Sequence, residues 1–387
     1  MGETQPQSAD ARAAAALMQA FAARTGLEGD LAPRRYLWTD AFAVCNAIAL
    51  AAGERNSPFA TLATRLVTQV HAVLGRHRDD DTRRGWISGL DDAEGARHPT
   101  LGGLRIGKPL PERARDAPFD VELEWDRDGQ YFHYLTRWMH ALDQYAHAFD
   151  QPDAERWAAE LAQVAHRAFL RRDAGGAPLR MAWKMSTDLS RALVPSMGQH
   201  DPLDGLITAL QLRARCAPGA DAHALDAQVR DYAVLALAHD WRSDDPLGVG
   251  GLLCDAWRLA QLPGDDVLPG DGARDALLAR MLDAAFAGVA GHARRQPLRQ
   301  PPAGRLAFRE LGLAIGLRGV ARMQAVPNGV ASAGLARLSA HASLADAILD
   351  TWREPACQQL HAWRAHEDIN AVMLATALLP SGYLDLQ

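Results

Sequence analysis

Cysteine is scarce: four in 387 residues, Cys45, Cys216, Cys254 and Cys357, with no CxxC and no Cys/His ligand spacing. That rules against a disulfide framework or a thiolate metal site, and reads as reduced core thiols in a cytoplasmic protein. An excess of either charge is also missing. Forty-one basic residues stand against forty-seven acidic ones, a net charge of −6, so there is neither a basic footprint for nucleic acid nor a polybasic patch for a membrane. Long apolar runs are missing as well. The stretch ARAAAALMQAF is short, broken by Gln19 and without cationic residues ahead of it, which argues against a signal peptide or a membrane span. Strand-type alternation is rare, which points away from a large sheet.

What remains is a chain that is 48 % apolar, enough for a sizeable core, and dominated by alanine and leucine in helical periodicity. Helices are expected at about residues 10–24, from Thr39, from Ser57-Pro58 to Leu74, and after Asp128. Others are expected from Gln151-Pro152, Pro202, Asp221, Pro246, Asp271, Arg305, Val330 and His366. MAWKM, within the stretch Gly175 to Pro195, suits a short strand or a helical turn. Between Arg76 and Asp128, glycines alternate with Pro99, Pro109 and Pro111, which predicts a long irregular insertion. The count is about twelve helices in six hairpins, with a repeat of roughly fifty to sixty residues. One helix of each pair is rich in Ala, Arg, Asp and Gln. The other is more apolar or carries glycines, such as Gly248, Gly250, Gly251, Gly312 and Gly316. Glycine inside a helix costs about 1 kcal/mol against alanine, so these five positions imply close helix approach.

The densest local signal is EWDRDGQYFHYLTRWMHAL, from Glu124 to Leu142. Acids beside Trp125 precede a helix whose apolar residues recur every three or four positions. Other predicted helix starts repeat the layout: Trp38 and Asp40; His200, Asp201 and Asp204; Trp241, Asp244 and Asp245; Arg305, Arg309 and Glu310; His366, Glu367 and Asp368. Acids at helix starts also serve as caps. Their recurrence beside Trp and His suggests one shared cleft.

With WTDAF (Trp38–Phe42), EWDRDGQYF (Glu124–Phe132) and HEDIN (His366–Asn370) as its local pieces, the chain resembles the (α/α)6 toroid superfamily. That group contains the six-hairpin glycosidase-like proteins and the N-acylglucosamine 2-epimerases. The resemblance implies an all-α fold, one domain spanning residues 1–387, with the insertion at about 76–128 over the mouth. It also implies parallel inner helices whose N-terminal ends form the ligand cup.

Two chemistries fit such a cup. Glycoside hydrolysis needs an acid and a second carboxylate on the two faces of the scissile bond. Asp126 or Asp128 is the expected first partner, and Asp204, Asp245 or Glu310 the second. Epimerisation or isomerisation needs bases flanking a carbon next to a carbonyl, and His200 with His366 is the alternative pair. Expected substrate contacts are Trp38, Asp40, Trp125, Tyr131, His133, Trp241, Arg309, Glu310 and Glu367, with the three tryptophans lining one cavity. No two histidines share a helix at ligand spacing, and the run HPTLGGLRIGKPLPER lacks a nucleotide-loop pattern, so neither metal nor cofactor is expected. The expected partner is a small saccharide. A non-catalytic helical scaffold binding a peptide or protein is the reading from a different class.

Overall fold

The computed structural model describes residues 8–263, 268, 272–326 and 333–387. The helix starts expected at Asp271 and Val330 fall outside these. Helix makes up 64 % of the chain. Strand is confined, among the described residues, to two antiparallel two-stranded ribbons. The fold is therefore mostly helical, and none of the described helices is long and apolar enough to cross a membrane.

Twelve of the described helices have more than ten residues: α1 (Ala9–Arg24), α2 (Leu37–Ala51), α3 (Pro58–Leu74), α4 (Phe132–Phe149), α5 (Pro152–Phe169), α6 (Asp201–Arg215), α7 (Ala220–Leu237), α8 (Pro246–Gln261), α9 (Ala273–Arg295), α10 (Ala307–Ala325), α11 (Ser343–Arg353) and α12 (Glu367–Leu378). Their starts follow local rules. Ser8 and Ser57 accept from backbone N–H groups three residues on, and Asp245 caps the first N–H groups of α8 ahead of Pro246. These bonds satisfy donors that a helix start leaves free.

The two sets of helices differ in what they bury. Along α2 every residue but Ala49 is buried, and α12 is buried without a break from Asn370 to Leu378. In α5 burial falls on Ala154, Ala158, Leu161, Ala162, Val164, Ala165 and Phe169, the stripe of a helix with one wet face. The even-numbered helices contact one another in a closed order: α2 with α4, α4 with α6, α6 with α8, α8 with α10, α10 with α12, and α12 with α2. Each has an odd-numbered helix against it, with α1 against α12 and α3, α5, α7, α9 and α11 against α2, α4, α6, α8 and α10.

The glycines have the packing reason their cost demands. A Cβ on Gly250 would lie 2.1 Å from the Gly312 carbonyl oxygen, and one on Gly316 would lie 2.6 Å from that of Gly250. Backbones of α8 and α10 thus touch where no side chain fits.

The insertion is less irregular than expected. It holds two short helices, Asp92–Arg97 and Val121–Asp126, and is pinned by the buried Trp86, Leu104 and Ile106. Gln130 ties it to the body, accepting from Leu104 N and donating to the carbonyls of Gly102 and Thr187. The helix expected directly after Asp128 begins only at Phe132. Gly129 has φ +143° and its missing Cβ would sit 2.6 Å from Met185 O. Gln130 and Tyr131 then pair as a strand with Lys184 and Met185. MAWKM accordingly contributes to two strands, Pro178–Met181 and Lys184–Met185.

Candidate functional site

A cavity of about 1110 Å³ opens at the starts of the six even-numbered helices. Each contributes from its first turns: Trp38 and Asp40 from α2, His133 and Arg137 from α4, Asp201 and Asp204 from α6, Gly248 and Gly251 from α8, Phe308 and Arg309 from α10, and Glu367 and Asp368 from α12. Gly248 and Gly251 keep α8 thin where it borders the space. A Cβ there would meet His200 Cε1 at 3.5 Å and Arg137 Nη2 at 3.4 Å respectively.

One wall is aromatic. Tyr36 and Tyr134 share a 2.6 Å hydroxyl–hydroxyl bond. Ring centroids then follow at 5.2 Å from Tyr134 to Tyr131, 5.3 Å from Tyr131 to Trp183, and 5.3 Å from Trp183 to Trp125. Trp125, at the end of this row, is 50 % exposed. Such rings offer flat apolar faces next to polar groups.

The polar groups divide into paired and unpaired. Arg24 binds Glu367 at 3.3 Å and Asp368 at 3.0 Å, and Arg309 binds Asp245 at 2.7 Å. Asp40 accepts from Tyr36 N at 2.9 Å and lies 3.4 Å from Arg35. Burial nonetheless lifts its carboxyl to about 6, against the pull of Arg35. Deeper in, Arg137 lies between Asp204 at 3.2 Å and Asp255 at 3.3 Å. Burial pushes Asp204 well above the usual carboxylate range. In Asp255 burial is overcome by Arg137 and Arg258, which bring it to about 2. One proton and one negative charge thus sit between these two acids.

Unpaired atoms gather between α4 and α6. His133 Nδ1 and Asp201 Oδ2 are buried without a hydrogen-bond partner, and His133 Nδ1 is 3.6 Å from Asp201 Oδ1. Burial and the Arg137 charge lower His133 to about 3, and burial raises Asp201 to about 7. Near neutrality a neutral imidazole therefore faces a carboxyl group on the verge of ionising. His200 differs. Its Nε2 lies 2.9 Å from the Trp241 carbonyl, which only accepts, so Nε2 carries the proton and Nδ1 keeps its lone pair. Burial lowers its pKa, favouring that neutral form.

The expected residues separate accordingly. His200, Asp204, Asp245 and His366 line the cavity, as do Trp38, Asp40, Trp125, Tyr131, His133, Arg309 and Glu367. Four others do not. Asp126 is exposed, outside the lining. Asp128 is fully buried and consumed by Arg105 at 2.6 Å and the backbone N–H groups of Gly107 and Lys108. Glu310 accepts from Arg305 at 2.7 and 2.6 Å and from Trp352 Nε1 at 2.8 Å. Trp241 is buried under the Arg280 guanidinium, 4.6 Å from its ring, so the three tryptophans do not share one space. Only the Trp241 carbonyl serves the site, by holding His200.

Arg137 and Trp183 line the site without having been expected there, and Asp201, expected only at the rim of the cleft, has no chemical role in the sequence reading beyond its place beside His200. Arg137 stands one helical turn beyond His133, a spacing visible in the sequence. Trp183 lies in the ambiguous MAWKM segment, and the pairing of the adjoining strand Lys184–Met185 with Gln130–Tyr131 brings it to Tyr131. Comparison with protein-family models, with curated proteins and with solved structures finds no match for this chain.

Proposed function

We propose that the chain is a carbohydrate-active enzyme, a sugar isomerase or epimerase working by acid–base catalysis in this cavity. The observation that carries the reading is that His200 and His366 line the same space, while Asp126 and Asp128, the first partners expected for hydrolysis, lie outside its lining. The closed order of contacts among the even-numbered helices supports an (α/α)6 toroid with the insertion over part of its mouth. On that plan α6 and α12, three places apart in the order, bring their two histidines from opposite sides. His200, neutral with a free Nδ1, is suited to take a carbon-bound proton next to a carbonyl. His366, at the start of α12, is suited to return one on the other face. The aromatic wall and the mixed acids and arginines match the alternating apolar faces and hydroxyls of a sugar. A row of aliphatic anchors, as a peptide scaffold would need, is not what lines this space.

The test is incubation with aldoses, ketoses and N-acetylhexosamines in D2O, followed by proton NMR. Loss of the signal at the carbon next to the carbonyl, abolished in His200→Ala and His366→Ala, is the expected result. Glycoside hydrolysis is the second reading, favoured by the presence of Asp204 and Asp245 in the same lining. Release of reducing ends from glycosides without solvent exchange would select it.

A further inference from the structure

We propose that Asp201, seated against Gly198 and facing His133, delivers a proton to an oxygen of the ligand in this cavity. The proposal rests on the cavity being a site of acid–base chemistry. It serves either reaction, since a carbonyl oxygen and a glycosidic oxygen both accept a proton as their bonds reorganise.

Three observations carry it. First, Asp201 is 3 % exposed, lines the cavity, and leaves Oδ2 without a partner. A buried acid oxygen with nothing to bond is costly, and a ligand hydroxyl or carbonyl arriving in the cavity would meet that need. Second, the Asp201 carboxyl rests where a side chain on Gly198 would stand. A Cβ there would lie 2.4 Å from Oδ1 and 2.5 Å from Oδ2. Glycine at 198 therefore leaves the room that the carboxyl occupies, and its backbone bonds that carboxyl. Third, the charged and titratable groups around Asp201 balance so that it keeps its proton near neutrality. His133 and Arg137 face it from α4, Asp204 from its own helix and Tyr232 from α7. His133 stays uncharged and forms no ion pair to strip the proton, and Arg137 is engaged by Asp204 and Asp255. Burial sets the outcome, holding Asp201 at about 7.

The step balances simply. The O–H bond of Asp201 breaks and its electron pair stays on the carboxylate, while a new O–H bond forms at the ligand oxygen. Arg137 then faces the carboxylate, and a proton from solvent in the cavity restores the acid.

The experiment uses glycidol, a small polar epoxide, on the whole protein at pH 6, with labelled peptides located by mass spectrometry. An acid that protonates the epoxide oxygen lets a neighbouring nucleophile open the ring and become alkylated. Alkylation of a cavity residue, slowed at least about tenfold in Asp201→Asn, is expected. Asp201→Glu should recover part of the rate, and Gly198→Ala, which displaces the carboxyl without removing it, should slow labelling as well. Thermal melts confirm that each variant is folded. Equal labelling in wild type and Asp201→Asn, or no cavity labelling at all, overturns the proposal. Because glycidol is not a sugar, labelling that depends on Asp201 upholds the proton donor even when no saccharide in the exchange and release assays reacts. Conversely, a confirmed saccharide turned over by Asp201→Asn at the wild-type kcat overturns the donor and leaves the enzyme reading standing.

Discussion

Two acidic stretches of this chain look alike on paper and differ in the folded molecule. Glu124–Asp128 and His200–Asp204 each place carboxylates beside ring side chains at or near a helix start. In the first, Glu124 is held by Lys184 at 2.9 Å and Arg113 at 3.0 Å, and Asp128 by Arg105 and two backbone N–H groups. In the second, Asp201, which lines the cavity, keeps one buried oxygen unbonded, and Asp204 shares one arginine with Asp255. An acid becomes chemically available where the fold supplies fewer donors than its oxygens can accept. Where the fold supplies them all, the same acid is a fastener.

The largest effect should come from breaking a fastener. Lys184 is fully buried, so Glu124→Ala strands its ammonium, and Asp128→Ala strands Arg105. Each should lower stability by about 3–5 kcal/mol, read from urea melts, because a lone buried charge is left behind. A loss under about 1 kcal/mol would erase the contrast.

Next is the pH dependence of the available acid. The folded-state value of Asp201, about 7, is above the unfolded value near 3.9. Its contribution is therefore fully present below about pH 4 and lost as pH rises through about 7, by at most about 4 kcal/mol. Melts at pH 4.5 and 7.5 should show wild type falling relative to Asp201→Asn over that window. Asp40, raised to about 6, adds a smaller change of the same sign. A difference between wild type and Asp201→Asn that does not vary with pH would place Asp201 among the fasteners.

Smaller again is the response of the glycines. Gly250→Ala puts a methyl group 2.1 Å from a backbone oxygen and should cost about 1–3 kcal/mol or more by prying α8 from α10. Gly248→Ala meets only ordinary contacts at 3.5 Å or beyond. It should leave the melting temperature nearly unchanged while crowding His200, so its effect belongs to turnover. The smallest stability effect is expected for Trp125→Ala. The residue is 50 % exposed, and a change within about 0.5 kcal/mol is expected, with any loss confined to ligand binding measured by calorimetry.

The helical rhythm was legible because it depends on neighbours in sequence. Ser57-Pro58 and Asp245-Pro246 announce α3 and α8 through caps and a fixed φ, and the stripe on α5 follows from 3.6 residues per turn. The glycines of α8 and α10 signalled close packing because their cost needs a return elsewhere. Asp128 misled because local density of carboxylates says nothing about the cations that reach them, and Asp126 because that density does not say which side chains face the cavity. Trp183 was hidden because the two-residue strand beside it, Lys184–Met185, has no periodicity to read.

The sequence by itself determined where most of the long helices run and which faces are apolar, since those rest on interactions spanning three or four residues. Which acids remain free was decided only by tertiary structure. Lys184 comes to Glu124 across 60 positions, Arg105 to Asp128 across 23, and Arg137 to Asp204 across 67. The availability of a carboxyl depends on the donors within about 3 Å of it, and the chain brings those donors from far away.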